Sequence, residues 1–232
     1  MLMSNFLFRT FHVRFQAGPH VAYGTAFSMD VDGEEFMVTA KHLLGDTPLE
    51  SLKIMQHEAW HELQFEVIGR GKGEVDIAVL KVGSRLTIGE TDIQFTMAEI
   101  QPGQDVYFLG FPFKLAGWAG DLIGGLPAPY VKKGTLSWID FRQTDRHVLH
   151  IDAINNEGFS GGPVIFYRNG QPQQDSLRIA GVVSKYRVEH EPVLDQDGNQ
   201  TGMTVAYNTG FLIAYGIASA HELIAAYRGR VN

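Results

Sequence analysis

Asn156-Glu157-Gly158-Phe159-Ser160-Gly161-Gly162-Pro163-Val164 is a polar, glycine-rich turn that runs into an apolar segment. Glycines and a proline surround a single hydroxyl. Glycine permits positive φ and lets the backbone come close to whatever reacts at the serine. A serine is a weak nucleophile until a neighbouring base takes its proton. An oxyanion forming beside it also needs amide N–H donors aimed from a fixed turn. The same pattern serves as a plain β-turn with an incidental serine, so its meaning depends on the rest of the chain.

Around the turn the sequence reads as strands. Val164–Tyr167, Arg178–Ser184 and Thr204–Asn208 follow it; Val106–Leu109, Gly134–Ile139 and His147–Ile151 precede it. Further upstream, the aromatic alternation of Phe6–Phe15, then Val21–Ser28, Glu35–Thr39 and the apolar run Val75–Val82 are predicted strands. Asp30-Val31-Asp32-Gly33 is a hairpin turn and Asp195-Gln196-Asp197-Gly198-Asn199 a hairpin tip. Pro48–Leu63 fits either a helical face or two strands joined by a polar turn. Gly110–Lys133 reads as a long loop, which in a folded domain has a task or moves. Ser219–Tyr227 is a predicted helix, with Ser219 as N-cap and Glu222 at the third helical position. Many short strands and one terminal helix predict an all-β fold, a pair of barrels in one domain. The turn at Pro102–Asp105 divides the barrels, giving 1–103, 104–215 and a helix over 216–232.

Of 232 residues, 44% are apolar and 19% charged, which describes a globular chain. A net charge of −7 gives no electrostatic case for nucleic acid or an anionic membrane as partner. The absence of cysteine excludes disulfides, thiolate metal sites and cysteine nucleophiles. No basic leader with an apolar core and no apolar run of membrane-spanning length is evident, so a cytoplasmic location is expected. No cofactor and no metal is expected.

Two further residues give the serine its meaning. His42 follows Thr39-Ala40-Lys41, and Asp76 opens Asp76-Ile77-Ala78-Val79-Leu80, so the chain runs His, Asp, Ser in the order of one well-known catalytic arrangement. With these blocks in place the sequence resembles the trypsin-like (chymotrypsin-fold) serine proteases, nearest to their Deg-type, high-temperature-requirement branch. Thr39–His42, Asp76–Leu80, Ile151–Pro163, Gly181–Ser184, Gly24–Phe27 and Leu109–Pro112 carry the resemblance, from residue 24 to past 184.

The resemblance implies two antiparallel six-stranded Greek-key β-barrels with a short C-terminal helix, acting as an endopeptidase on protein or peptide substrates. Ser160 is implied as nucleophile, His42 as base and acid, Asp76 as the group that orients His42. Gly158, Phe159 and Ser160 are implied as the oxyanion hole, through the N–H groups of Gly158 and Ser160. Phe159 stands where the family usually has Asp or Asn, so the turn must be ordered by other contacts or become ordered only when substrate binds. On the same alignment Ile154 falls at the base of the substrate pocket, Ser184, Lys185 and Tyr186 along one wall, and Val205 at another. Apolar bulk there predicts a small apolar P1 residue.

Three other readings are open at this point. His57-Glu58-Ala59-Trp60-His61 matches His-Glu-x-x-His, in which a helix offers two imidazoles to zinc. The longer signature fails at Gln64 and Val67, and only Glu74 or Glu90 could be a third ligand. Asp195-x-Asp197-x-Asn199 resembles a calcium loop but lacks its glycine and final glutamate. Phe159 and a narrow pocket also fit a protease-fold binding or scaffold protein with weak or conditional activity.

Overall fold

The structure is a computed structural model that describes residues 4–87, 93–118, 120–143, 146–170 and 177–231. Large apolar residues at every second position are what a strand with one buried face requires. Phe11, Val13 and Phe15 accordingly bury their side chains from β1 (Thr10–Ala17). That strand pairs antiparallel with β2 (His20–Val31). β2 turns into β3 (Glu34–Thr39) through Asp32 and Gly33, both at positive φ, 50° and 82°, as a two-residue hairpin needs. The first sheet is completed by β4 (Ser51–Gln56), β5 (Ala59–Leu63), β6 (Phe65–Arg70) and β7 (Ala78–Val82), in the order β5-β4-β1-β2-β3-β7-β6.

The second sheet contains β8 (Gln94–Phe95), β9 (Asp105–Gly110), β10 (Tyr130–Gln143), β11 (Arg146–Asp152), β12 (Pro163–Tyr167), β13 (Leu177–Leu194) and β14 (Gln200–Gly216). Its order is β12-β9-β10-β11-β14-β13-β8, and a β12–β13 pairing closes six of these strands into a ring. α1 (Ser4–Leu7) precedes the first sheet, and α2 (Ala218–Val231) ends the described chain. α2 returns to the first half, where Tyr227 Oη donates to Glu66 at 3.0 Å and Arg228 pairs with Asp32 at 2.6 Å. Among the described residues no helix is long and apolar enough to cross a membrane.

The all-β, two-barrel architecture expected from the sequence is present, with differences in detail. The second sheet closes as the six-stranded ring expected, with β8 added at its edge, while the first has seven described strands and stays open as a half-barrel. Phe6 lies in α1 and not in a strand, its ring buried beneath the first sheet. Within Pro48–Leu63 the chain forms the β4–β5 hairpin and no helix: Leu52 and Ile54 alternate into the core, and Leu63, opposite Leu52, packs against the same cluster. Asp76 precedes β7 instead of lying in it. β8 joins the second sheet ahead of residue 104.

The segment between β9 and β10 is not an idle loop. Two of its residues, Ile123 and Leu126, are buried in the core of the first sheet with Phe11, Val13 and Leu52. A second cluster, with Phe27, Val79, Leu109, Val182 and Ile224, joins both halves and α2. The halves therefore share their interior, and the cleft between them has fixed walls.

Candidate active site

One rim of the cleft is built from β3 and the loop before β7. After Thr39 the chain makes a single 3-10 turn, Lys41–Leu44, which buries Leu43 and Leu44 and turns His42 outward. His42 Nδ1 donates to Asp76 Oδ2 at 2.7 Å, and the His42 backbone N–H donates to Asp76 Oδ1 at 2.8 Å. The carboxylate thus fixes the ring, and Nε2 is left as the acceptor. Asp76 is placed by Lys41, whose ammonium donates to the carbonyls of Gly71 (3.0 Å) and Gly73 (2.7 Å). Burial pushes the Asp76 carboxyl up, but hydrogen bonds from His42 and Ser184 outweigh it and hold the group below the usual aspartate range.

The opposite rim is the turn quoted at the outset. Five successive carbonyls in it have donors. Asn156 O accepts from Phe159 N (3.4 Å), Glu157 O from Phe113 N (2.9 Å), and Gly158 O from Thr25 Oγ1 (2.7 Å). Phe159 O accepts from Gly162 N (2.9 Å) and Ser160 O from Thr25 N (2.9 Å). The N–H groups of Gly158 and Ser160, by contrast, have no acceptor among the described residues. In a trans peptide the N–H points opposite to the C=O, so the Glu157–Phe113 bond turns the Gly158 N–H away from the Phe113 loop. Glycine is required at two places here. Gly158 has φ 102°, with the Phe111 carbonyl 2.2 Å from where a Cβ would stand; Gly161 has φ 84°, with the Thr25 carbonyl at 2.0 Å.

The two rims meet through Ser184. Its hydroxyl donates to Asp76 Oδ2 at 2.5 Å, and its carbonyl accepts from Ser160 Oγ at 2.9 Å. Ser184 sits at a register shift between Val183 and Lys185 in the β13–β14 ladder, which frees its carbonyl to face the cleft. His42, Asp76, Ser160, Ser184, Lys185 and Tyr186 all line one cavity of about 570 Å³.

Other expected site residues lie elsewhere. Ile154 is 64% exposed and Val205 is 55% exposed, and neither lines this cleft. Val205 faces Glu191 on a ribbon formed where β13 and β14 run past the barrel. In the β13–β14 ladder the residue opposite Tyr186 is Leu212, so Val205 cannot form the facing wall. Phe159 does not offer its N–H, which is spent on Asn156, and its ring is fully buried against Phe108.

The His-Glu-x-x-His stretch is a hairpin tip, with His57 and Glu58 at positive φ (46° and 60°). Without a helix the two imidazoles do not share a face: His61 Nε2 meets the Gln56 carbonyl at 3.0 Å, and His57 lies against Gly125. Glu74 lines the cleft instead, and Glu90 lies outside the described residues. Asp195 Oδ1 accepts the N–H groups of Asp197 and Asn199, so that carboxylate closes its own turn.

Thr25, Lys41 and Phe113 were not singled out by the sequence. All three act on backbone carbonyls, from a side chain or through their own N–H, and such roles leave no distinctive pattern of residue types. Thr25 and Lys41 did lie inside the blocks that carry the resemblance, the one available signal.

A family model described as a trypsin-like peptidase domain matches residues 24–172. No curated protein matches the sequence. Among solved structures, the HtrA-type protease AlgW with a tripeptide is similar over 97% of this chain and 62% of its own, at 17% identity and a TM-score of 0.61. The Rv3671c protease of M. tuberculosis in its active form is similar at 18% identity and a TM-score of 0.61, over 97% of this chain and 82% of that one. A serine endoprotease from Yersinia pestis gives 18% and 0.61, over 97% and 65%. The chain thus spans less than two thirds of two of these proteins, and the likeness to all three is one of fold. Because the family model covers more than half of the sequence, the chain belongs to the trypsin-like peptidase domain family.

Proposed function

We propose that this chain is a serine endopeptidase acting on protein or peptide substrates, with Ser160 as nucleophile, His42 as general base and then acid, and Asp76 as the group that orients His42. The observation that carries the reading is the polarity of the turn: every carbonyl from Asn156 to Ser160 has a donor, while the N–H groups of Gly158 and Ser160 beside the hydroxyl have no acceptor. Two free donors next to the hydroxyl suit an oxygen that becomes negative.

Ser160 turns its hydroxyl from the Ser184 carbonyl to His42 Nε2, which takes the proton as Oγ bonds to the substrate carbonyl carbon. The carbonyl oxygen becomes an oxyanion held by Gly158 and Ser160. Collapse of that intermediate breaks the C–N bond, and the imidazolium returns its proton to the leaving amine. Water then repeats the sequence on the acyl-enzyme. Tyr186 beside the cleft favours a small apolar P1 residue.

The test is labelling with a fluorophosphonate probe. Wild-type chain is expected to label and Ser160→Ala not to; a folded wild type that stays unlabelled, even with peptide present, removes the peptidase assignment. One observation favours the conditional form of the reading: Ser160 Oγ donates to Ser184 and not to His42. In that form a bound peptide N–H competes for the Ser184 carbonyl and releases the hydroxyl, so labelling rises when a non-cleavable peptide is added.

A further inference from the structure

Lys132 occupies a position that the catalytic roles above do not use. It lies on β10, opposite Phe108 of β9, and its side chain reaches the turn that carries Ser160. Its ammonium donates to the Ile154 carbonyl at 2.7 Å and to Asn156 Oδ1 at 2.5 Å. The same nitrogen stands 5.4 Å from the centre of the Phe159 ring. That ring is fully buried and meets Phe108 edge-to-face, with centroids 5.0 Å apart.

One cation therefore touches the residues at 154, 156 and 159, on both sides of Gly158. An ammonium has three donors and no acceptor; here two go to oxygens and the third side faces an aromatic ring, whose face attracts a cation. Such a group suits a turn in which every carbonyl from Asn156 to Ser160 has a donor within the protein while the N–H groups of Gly158 and Ser160 have no acceptor among the described residues. Partial burial lowers the ammonium's pKa from the usual lysine value, which is what withdrawal from water does to a cation.

We infer that Lys132 is a positioning residue for the oxyanion site: a partly buried cation that holds Ile154, Asn156 and Phe159 so that the N–H groups of Gly158 and Ser160 stay aimed at the reacting oxygen. It does this without touching substrate. The inference rests on the peptidase reading and adds to it the source of order in the turn.

Lys132→Met keeps the stem and removes the charge. Loss of one oxyanion donor lowers kcat by roughly 100- to 1,000-fold, and loss of a group that only aims the donors is expected to lower it about 10- to 100-fold, with KM within about twofold. Inhibition by a peptide aldehyde, whose adduct oxygen enters the hole, weakens in parallel, while binding of the matching peptide carboxamide does not change. Phe159→Leu, which removes the ring but keeps the ammonium, gives a smaller loss. The double variant loses less than the product of the two singles, since both act through one turn.

An unchanged kcat in a folded Lys132→Met protein overturns the inference. So does an equal weakening of aldehyde and carboxamide, because that describes a residue of general structure. Should Lys132→Met not fold, the aldehyde-to-carboxamide ratio in Phe159→Leu decides instead, and an unaltered ratio there overturns it. A reactive wild type with unaffected variants sinks this inference alone, whereas a wild type inert to the serine probe sinks it together with the peptidase reading.

Discussion

The two rims of the cleft are held by different kinds of force. On the His42 rim, a single carboxylate gathers the bonds: Asp76 accepts from the His42 ring, the His42 backbone and Ser184 at 2.5 to 2.8 Å. On the Ser160 rim the bonds are spread over several residues. Neutral bonds of 2.7 to 3.4 Å arrive from Thr25, from Phe113 and from within the turn itself, and one charged donor, Lys132, reaches Ile154 and Asn156 from the side. Bonds to charged groups are roughly twice as strong as neutral ones. The first rim therefore has one point of failure; the second, weaker in most of its bonds, is redundant. Substitutions should divide along the same line.

The largest effect is expected at the single point. In Asp76→Asn the side-chain amide presents an N–H to His42 Nδ1, which forces the proton to Nε2 and removes the base. A loss of about 10⁴-fold in kcat is expected, the size known for this exchange in the template triad of the family, with the fold unchanged. Steady-state kinetics on the purified variant measure it. A loss under about 100-fold would mean that Asp76 is only one support of several, and the contrast between the rims would collapse.

Acid should also separate the rims, in the opposite sense. Behind the Phe111–Leu115 loop, which supports the Ser160 rim, His12 is 3% exposed and stacked on Phe111 at 4.7 Å, with Trp60 at its edge. Its Nε2 has no partner. Burial first, and then the nearby Lys114 charge, lower its pKa from 6.5 to about 4. Between those values the unfolded chain binds a proton that the folded chain refuses, so stability falls as pH drops through this window. The full penalty is about 3 kcal/mol. Asp76 behaves otherwise: with its carboxyl held low, its contribution is present above the ordinary aspartate range and fades only below it. Urea midpoints at pH 7, 5.5 and 4.5 test this, with His12→Leu expected to flatten the slope. An equal slope in wild type and variant would exonerate His12.

What the sequence disclosed and what it hid follow from the same contrast. That His42, Asp76 and Ser160 meet at one cleft was legible because such residue types in a fixed order, beside glycines that tolerate positive φ, have few other uses. The supports of the Ser160 rim were not. A threonine hydroxyl on a carbonyl, as at Thr25, or a backbone N–H at Phe113, is open to most residues and leaves no pattern. The sheets were legible in class but short in extent: Arg178–Ser184 is only the buried start of β13, whose outer residues alternate with nothing to pack against. His57 and His61 left a zinc reading open because an i, i+4 spacing fits a helix face as well as a hairpin tip, and the positive φ of His57 and Glu58 tells the two apart.

Redundancy makes the Thr25 prediction smaller than that for Asp76. Thr25→Val keeps the shape of the side chain and removes the hydroxyl that donates to Gly158 O and accepts from Phe111 N at 3.3 Å. An unsatisfied buried carbonyl costs about 1–3 kcal/mol. Phe111 N, already 3.4 Å from Gly158 O, can replace part of that bond. A kcat about 10-fold lower with KM little changed is expected, and a loss equal to that of Asp76→Asn would show that the Ser160 rim also hangs on one bond.

The smallest expected effect distinguishes the cleft from the ribbon that leaves it. Tyr186 lines the cavity, while Val205, farther along the same hairpin, stands more than half exposed opposite Glu191. Removing a cleft side chain changes the space for P1, and each methylene admitted or refused there is worth about 1–3 kcal/mol. Tyr186→Gly is therefore expected to raise cleavage after Phe relative to cleavage after Ala by about 10-fold or more in a peptide library. Val205→Gly is expected to leave that ratio within about twofold, because a side chain that no cleft residue touches cannot sense P1. A shift of equal size in both variants would mean that the ribbon folds back over bound peptide, and that the Ser160 rim extends well beyond Tyr186.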